Sequence, residues 1–185
     1  MDDPSSKSRA LQRRFHQVIP GGSHTYAKGD DQFPETFPLY IERGHGCRIW
    51  DVEGREFIEY AMGLRAVTLG HAFGPVVEAA SRQMRLGSNF NRPTPLELEC
   101  AEAMLELLPG AEMVKFAKNG SDANDAALKL ARAHTGRDLI AYCSSQPFFS
   151  VGDWFIGTTQ ADAGIPQAVK DLSLGFRYND LAGAT

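Results

Sequence analysis

The stretch Val114-Lys-Phe-Ala-Lys-Asn-Gly-Ser-Asp-Ala-Asn-Asp125 constrains the fold most, because a short apolar run meets a Gly-Ser turn and opens directly into a helical pattern. Ala123, Ala127, Leu130 and Ala131 recur at helical spacing, with Asp122 and Asp125 in the first turn and Lys129 and Arg132 near the end. Gly136 closes the helix. The first N–H groups of a helix have no partner inside it and carry the positive end of its dipole. Gly120, Ser121 and their neighbours can therefore receive a phosphate dianion, with the Ser121 hydroxyl as a further donor. The same residues also read as an ordinary capped helix, in which Asn119 or Ser121 accepts from the backbone.

At 185 residues, 43% hydrophobic and 23% charged, the chain can bury one sizeable core and lacks the composition of disorder. A net charge of -4 leaves no electrostatic footprint for nucleic acid or an anionic membrane, and the basic cluster Lys7 to Arg14 reads as a solvated helix face. Cys47, Cys100 and Cys143 are widely spaced and odd in number, which fits a reducing compartment, so a cytoplasmic location is expected. No apolar stretch approaches the roughly 20 residues of a membrane helix, and the N-terminus has no signal-peptide core.

Leu11, Phe15 and Val18 predict a helix over 6–18, stopped by Pro20-Gly-Gly22. Strands are predicted at 39–42, 47–50 and 56–60, the last two joined through Asp51-Val-Glu-Gly54. Pro75 starts a helix that Gly87 ends, and Thr94-Pro-Leu-Glu97 combines a capping box with a first-turn proline to launch another as far as Pro109-Gly110. A strand at 113–117, a helix at 121–135, a strand at 139–142, a long loop and a strand at 172–177 follow. That alternation predicts an α/β fold. Asp180 caps a helix start that the sequence does not continue, and parallel strands need helices on both faces, so the chain is expected to be an N-terminal fragment of a larger protein.

Several short motifs occur in a fixed order: Ile19-Pro-Gly-Gly22; Gly46 with Asp51, Gly54, Phe57 to Tyr60 and Gly63; Leu69-Gly-His71 with Gly74-Pro75; Pro93-Thr94 with Leu96-Glu97; and Asn119-Gly-Ser-Asp-Ala-Asn124. Together they resemble the class III aminotransferases of fold type I, which depend on pyridoxal 5'-phosphate, and most of all the glutamate-1-semialdehyde 2,1-aminomutase branch. The resemblance implies an N-terminal helix and hairpin segment over 1–65. Residues 66–185 would then form the incomplete beginning of the cofactor-binding large domain, a mixed, mostly parallel sheet with flanking helices.

By the same resemblance, Gly120 and Ser121 hold the cofactor phosphate, and Asp122 and Asn124 organise the cup. Phe148 corresponds to the aromatic residue stacked on the pyridine ring; Phe149 then stands where the family has histidine and Ser150 where it has glycine. A phenylalanine pair also reads as core. Asp153 to Thr159 resembles the family's continuation. Thr25 and Lys28 match a serine and an arginine associated with the substrate carboxylate. Lysine meets a carboxylate as a point charge without arginine's two-pronged contact, and this loop also reads as ordinary exposed surface.

The chemistry needs a Schiff-base lysine and a carboxylate at the pyridine nitrogen. None of Lys7, Lys28, Lys115, Lys118, Lys129 and Lys170 lies in the family's catalytic motif, so no catalytic residue is assigned in this chain. The resemblance implies an aminotransferase or aminomutase parent, with an amino donor and a carbonyl acceptor as its small-molecule partners, acting as a homodimer. Two other readings stay open: a self-contained phosphate-binding module, and a non-catalytic dimerising relative. His45-Gly-Cys47 has too few partners at metal-ligand spacing, and no metal is expected.

Overall fold

The computed structural model describes residues 6–146 and 148–180. Its contacts divide the chain into two compact units, 1–92 and 93–185.

In the first unit, helix α1 (Lys7–Val18) starts at Ser6, whose hydroxyl accepts from the Arg9 N–H. Ser8 is buried because both its N–H and its hydroxyl donate to the Glu53 carboxylate (2.7 and 2.6 Å), which fastens the helix to the turn after the second strand. Phe15 packs on Tyr40 with ring centroids 4.7 Å apart, whereas Val18 stays exposed. Strands β1 (Ile41–His45), β2 (Arg48–Asp51) and β3 (Glu56–Ile58) form an antiparallel sheet in that order. Ile49 of β2 is the apolar core of the unit at 5% exposure.

The turn between β2 and β3 is built by one fully buried carboxylate. Asp51 Oδ1 accepts from the N–H groups of Glu53 and Arg55, and Oδ2 accepts from Arg55 Nε (2.6 Å). Gly54 completes the turn at φ +83°.

After β3 comes a turn that sequence propensity does not foreshadow. In α2 (Met62–Arg65) the successive φ angles are +47°, +56°, +60° and +71°, a single left-handed turn in which only Gly63 lacks a Cβ. Left-handed backbone costs about 1–2 kcal/mol at each residue that carries a Cβ, so other contacts must hold it. Helix α3 (Gly74–Leu86) follows, with Pro75 in its first turn and Gly87 at its end; Val76, Val77, Met84 and Leu86 are exposed on it.

The second unit begins with α4 (Pro95–Leu107), where Thr94 and Glu97 form the predicted capping box. The strand predicted at 113–117 does not form. Extended backbone becomes a strand only through a hydrogen-bonded neighbour, and among the described residues this segment has none. Helix α5 (Gly120–Thr135) ends at Gly136, left-handed at φ +66°, whose N–H reaches the Arg132 carbonyl.

Strands β4 (Ile140–Cys143) and β5 (Ser173–Phe176) pair in parallel, from Ile140 with Ser173 to Cys143 with Phe176. The connection between them carries two short helices, α6 (Asp153–Ile156) and α7 (Gln167–Lys170), where the sequence suggests only a loop. Phe155, 4% exposed, is the core of this unit, with the rings of Tyr142, Phe148, Phe149 and Trp154 around it. The mixture of helices with antiparallel and parallel sheet is the expected α/β class. The helix start expected after Asp180 lies outside the described residues, as does Pro147. Among the described residues no helix is long and apolar enough to cross a membrane.

Candidate active site

At the start of α5, Asn119 is the cap. Its Oδ1 accepts from the Asp122 N–H (3.0 Å) and its Nδ2 donates to the Asp122 carboxylate (3.1 Å). Ser121 plays a different part: its Oγ accepts the Val151 N–H at 3.1 Å. That bond occupies a lone pair and leaves the hydroxyl proton to donate outward. The N–H groups of Gly120 and Ser121 find no acceptor among the described residues, and a Cβ built on Gly120 would meet nothing within 4 Å. Two N–H groups and one hydroxyl thus stay available as donors at the positive end of a 16-residue helix. This donor set fits a phosphate dianion.

The loop before α6 is tied to that helix start by three side chains. Besides Ser121, Asn124 donates through Nδ2 to the Phe149 carbonyl (2.6 Å), so its work is to fix the loop. Asp125 Oδ1 accepts from the Ser150 hydroxyl (2.8 Å) and from Trp154 Nε1 (2.6 Å), and Ser150 Oγ in turn accepts the Gly152 N–H. Ser150 is fully buried. Sequence reasoning missed Asp125, Ser150 and Trp154 as a connected group; the single signal was serine where the resemblance predicts glycine.

Phe148 is 57% exposed and meets Phe155 edge-on, at 86° and 5.8 Å between centroids, which leaves a ring face open. Phe149 turns the other way, toward Phe155 (5.4 Å) and Trp154 (6.4 Å). The adjacent phenylalanines therefore divide between the surface and the core.

The first unit holds Thr25 and Lys28. Thr25 is exposed, its carbonyl accepting from Ser23 Oγ and from the Lys28 N–H, both at 2.8 Å. Lys28 lines a cavity of about 360 Å³ with Asp30, Phe33, Phe37, Glu59, Leu64 and His71 among its walls; Thr25 does not line it. Asp30 is engaged by Gln12 Nε2 and by His16 Nε2 (2.9 Å). Those two contacts, Gln12's first, hold its carboxyl below the ordinary aspartate value against a smaller effect of burial.

Glu59 is likewise engaged: Oε1 accepts the Gly63 N–H (2.9 Å) and Oε2 meets His71 Nε2 at 2.6 Å. Burial works against its ionisation, but the bonds from Gly63 and His71 outweigh burial and leave the carboxyl below the usual range. Among the described residues no group of three or more His, Cys, Asp or Glu side chains is placed to hold a metal.

The model of the class-III aminotransferases matches residues 26–172. The glutamate-1-semialdehyde 2,1-aminomutase of Chloroflexus aurantiacus is 35% identical over 188 residues, covering 97% of this chain and 42% of the relative. The chain thus spans about two-fifths of the length of such relatives. Among solved structures, an omega-transaminase from Sphaerobacter thermophilus superposes with a TM-score of 0.86 at 30% identity, over 98% of this chain and 44% of that one. A transaminase with PLP bound gives 0.85 at 31% identity, over 96% and 42%. A family model that matches most of the chain, with a relative 35% identical along 97% of it, leaves one assignment: the chain belongs to the class-III aminotransferase family.

Proposed function

We propose that this chain is part of a pyridoxal 5'-phosphate-dependent aminotransferase or aminomutase, in which it supplies the phosphate cup and one wall for the cofactor ring. When bound, the cofactor supplies a carbonyl that takes up amino groups and a ring that accepts electrons from the bonds next to them. Gly120 and Ser121 would hold its phosphate through two N–H groups and one hydroxyl. Asp122 keeps the cap closed through Asn119, and Asn124 holds the loop that presents Phe148. The open face of Phe148 would lie against the ring. Thr25 and Lys28 would serve the substrate, Lys28 as a point charge toward a carboxylate. An amino donor and a carbonyl acceptor are the proposed partners, and a homodimer in the cytoplasm the proposed setting. None of this chain's lysines is assigned the cofactor-anchoring role. The division of the parent fold after residue 65, with the large domain beginning at 66, belongs to the same proposal.

The observation that carries this reading is the bond from the Val151 N–H to Ser121 Oγ, which orients the hydroxyl as a donor beside two free N–H groups. The test is to mix the purified protein with pyridoxal phosphate, reduce it with borohydride and map labelled lysines by mass spectrometry. Binding that inorganic phosphate competes away, without stoichiometric labelling of Lys7, Lys28, Lys115, Lys118, Lys129 or Lys170, is expected. Stoichiometric labelling of Lys118, beside the cup, would overturn the assignment of roles.

A further inference from the structure

Ser121, Asn124 and Asp125 stand at i, i+3 and i+4 of α5 and so share one face of the helix, the face that meets the loop before α6. Each takes a different point of that loop. Asn124 Nδ2 holds the Phe149 carbonyl, Asp125 holds the Ser150 hydroxyl, and Ser121 Oγ holds the Val151 N–H. Gly152 closes the set: its N–H donates to Ser150 Oγ at 2.9 Å, and a Cβ on it would stand 2.6 Å from Asp125 Oδ2. The backbone is thus pressed against the carboxylate at a point where a side chain would push it aside.

Asp125 is the hub of these contacts. Besides Ser150 it takes Trp154 Nε1, and the Trp154 carbonyl accepts from Ser173 Oγ of β5 at 2.7 Å. The loop is therefore fixed on one side to the first turns of α5 and on the other to the parallel sheet. The Ser150 hydroxyl, fully buried, donates to Asp125 and accepts from Gly152. Glycine, which the resemblance puts at this position, would have no hydroxyl to bridge the two. Two groups ride on this clamp. Val151, between the two clamped residues, gives Ser121 the N–H that occupies a lone pair of its hydroxyl. Without that donor a serine hydroxyl turns to nearby backbone groups instead. Phe148, two residues before Ser150, is carried by the same segment with a ring face open.

We propose that Asp125 and Ser150 are positioning residues for the cofactor: the bond between them fixes the loop so that one contact aims both the Ser121 hydroxyl at the phosphate and the Phe148 face at the ring. The inference rests on the function proposed above and adds the residues that join the two halves of its site. Asp125 and Ser150 do not touch the cofactor; they act through Val151 and Phe148.

The test is calorimetric titration of the full chain with two probes: inorganic phosphate, and pyridoxine 5'-phosphate, which carries the cofactor's phosphate and ring but has no aldehyde to react with a lysine. Ser150→Ala should weaken inorganic phosphate about tenfold, the low end of what a hydrogen bond to a charged group contributes. It should weaken pyridoxine 5'-phosphate about thirtyfold, the added factor coming from a misplaced aromatic face. In a Ser121→Ala background the same substitution should leave inorganic phosphate within about twofold, because its route to the phosphate is gone. Pyridoxine 5'-phosphate should still lose about threefold there, through Phe148. A residue that only stabilised the fold would weaken both probes alike in both backgrounds. Gly152→Ala, which drives a methyl toward Asp125 Oδ2 and removes no buried hydroxyl, should reproduce the pattern, and it decides the matter if Ser150→Ala does not fold. Unchanged affinities, equal losses for the two probes, or a phosphate loss that persists without the Ser121 hydroxyl would each overturn the proposal. If the unmodified chain binds neither probe, the function proposed above fails, and this inference with it.

Discussion

Val151 donates its backbone N–H to Ser121 Oγ, so the loop after Phe149 aims the hydroxyl of the helix start. Ser121→Ala removes both the loop tie and the outward donor. A hydrogen bond to a charged group is worth about 1.5–3 kcal/mol, so affinity for pyridoxal phosphate should fall roughly ten- to a hundredfold. Ser121→Thr keeps the hydroxyl and should stay near the parent value. Titration followed by cofactor absorbance decides between them.

Asp125 gathers the Ser150 hydroxyl and the Trp154 indole N–H on one oxygen. Asp125→Ala leaves a fully buried hydroxyl and an indole N–H without their acceptor, each costing about 1–3 kcal/mol. The urea midpoint should drop, and Trp154 emission should shift before the main transition. A variant with unchanged midpoint would show that the loop is held by Asn124 and Ser121 alone.

Gly44 is required by the approach of His71. Gly44→Ala places a methyl 2.7 Å from His71 Cγ, against a ring already bonded to Glu59 and bridged to Gly46. Overpacking of this kind typically costs about 1–3 kcal/mol. Thermal unfolding should show the loss, and the histidine ring resonances in NMR spectra should move. Gly46→Ala, with no atom within 4 Å of its added Cβ but a φ of +56°, separates backbone strain from crowding.

Asp30 gives a pH dependence of definite sign. Its folded carboxyl sits below the ordinary aspartate value, through Gln12 first and then His16. Its contribution to stability is therefore complete above that ordinary value and disappears as pH falls through the lowered one. Asp30→Asn should flatten the acid limb of the stability profile. A variant that unfolds in acid along the same curve as the parent would refute the role.

Elements carried by local chemistry were legible in the sequence. Asn119, Thr94 with Glu97, Pro75 and Gly136 act at the ends where their side chains or backbones suit them, and the helices formed there. The strand expected at 113–117 failed because ladder bonding depends on a neighbour, which composition does not reveal. The α2 turn was invisible for the opposite reason: Met62, Leu64 and Arg65 have no local preference for positive φ and are held there from outside. Glu59 with His71, and Asp125 with Ser150 and Trp154, lie far apart in the chain. No spacing rule connects them; only the finished fold does.

The parallel pairing of β4 with β5 also separates contacts that are near in sequence from contacts that are distant. Two parallel strands cannot be joined by a tight turn, and Ile140 must wait for Ser173 while the whole connection between them closes. Helix α5 can form from its own caps early, on the timescale of local structure. The loop bonds from Val151 to Ser121 and from Phe149 to Asn124 belong to that slower closure. The helix end that would receive a phosphate is thus built from contacts near in sequence, and the loop that aims it from contacts that need the long connection closed.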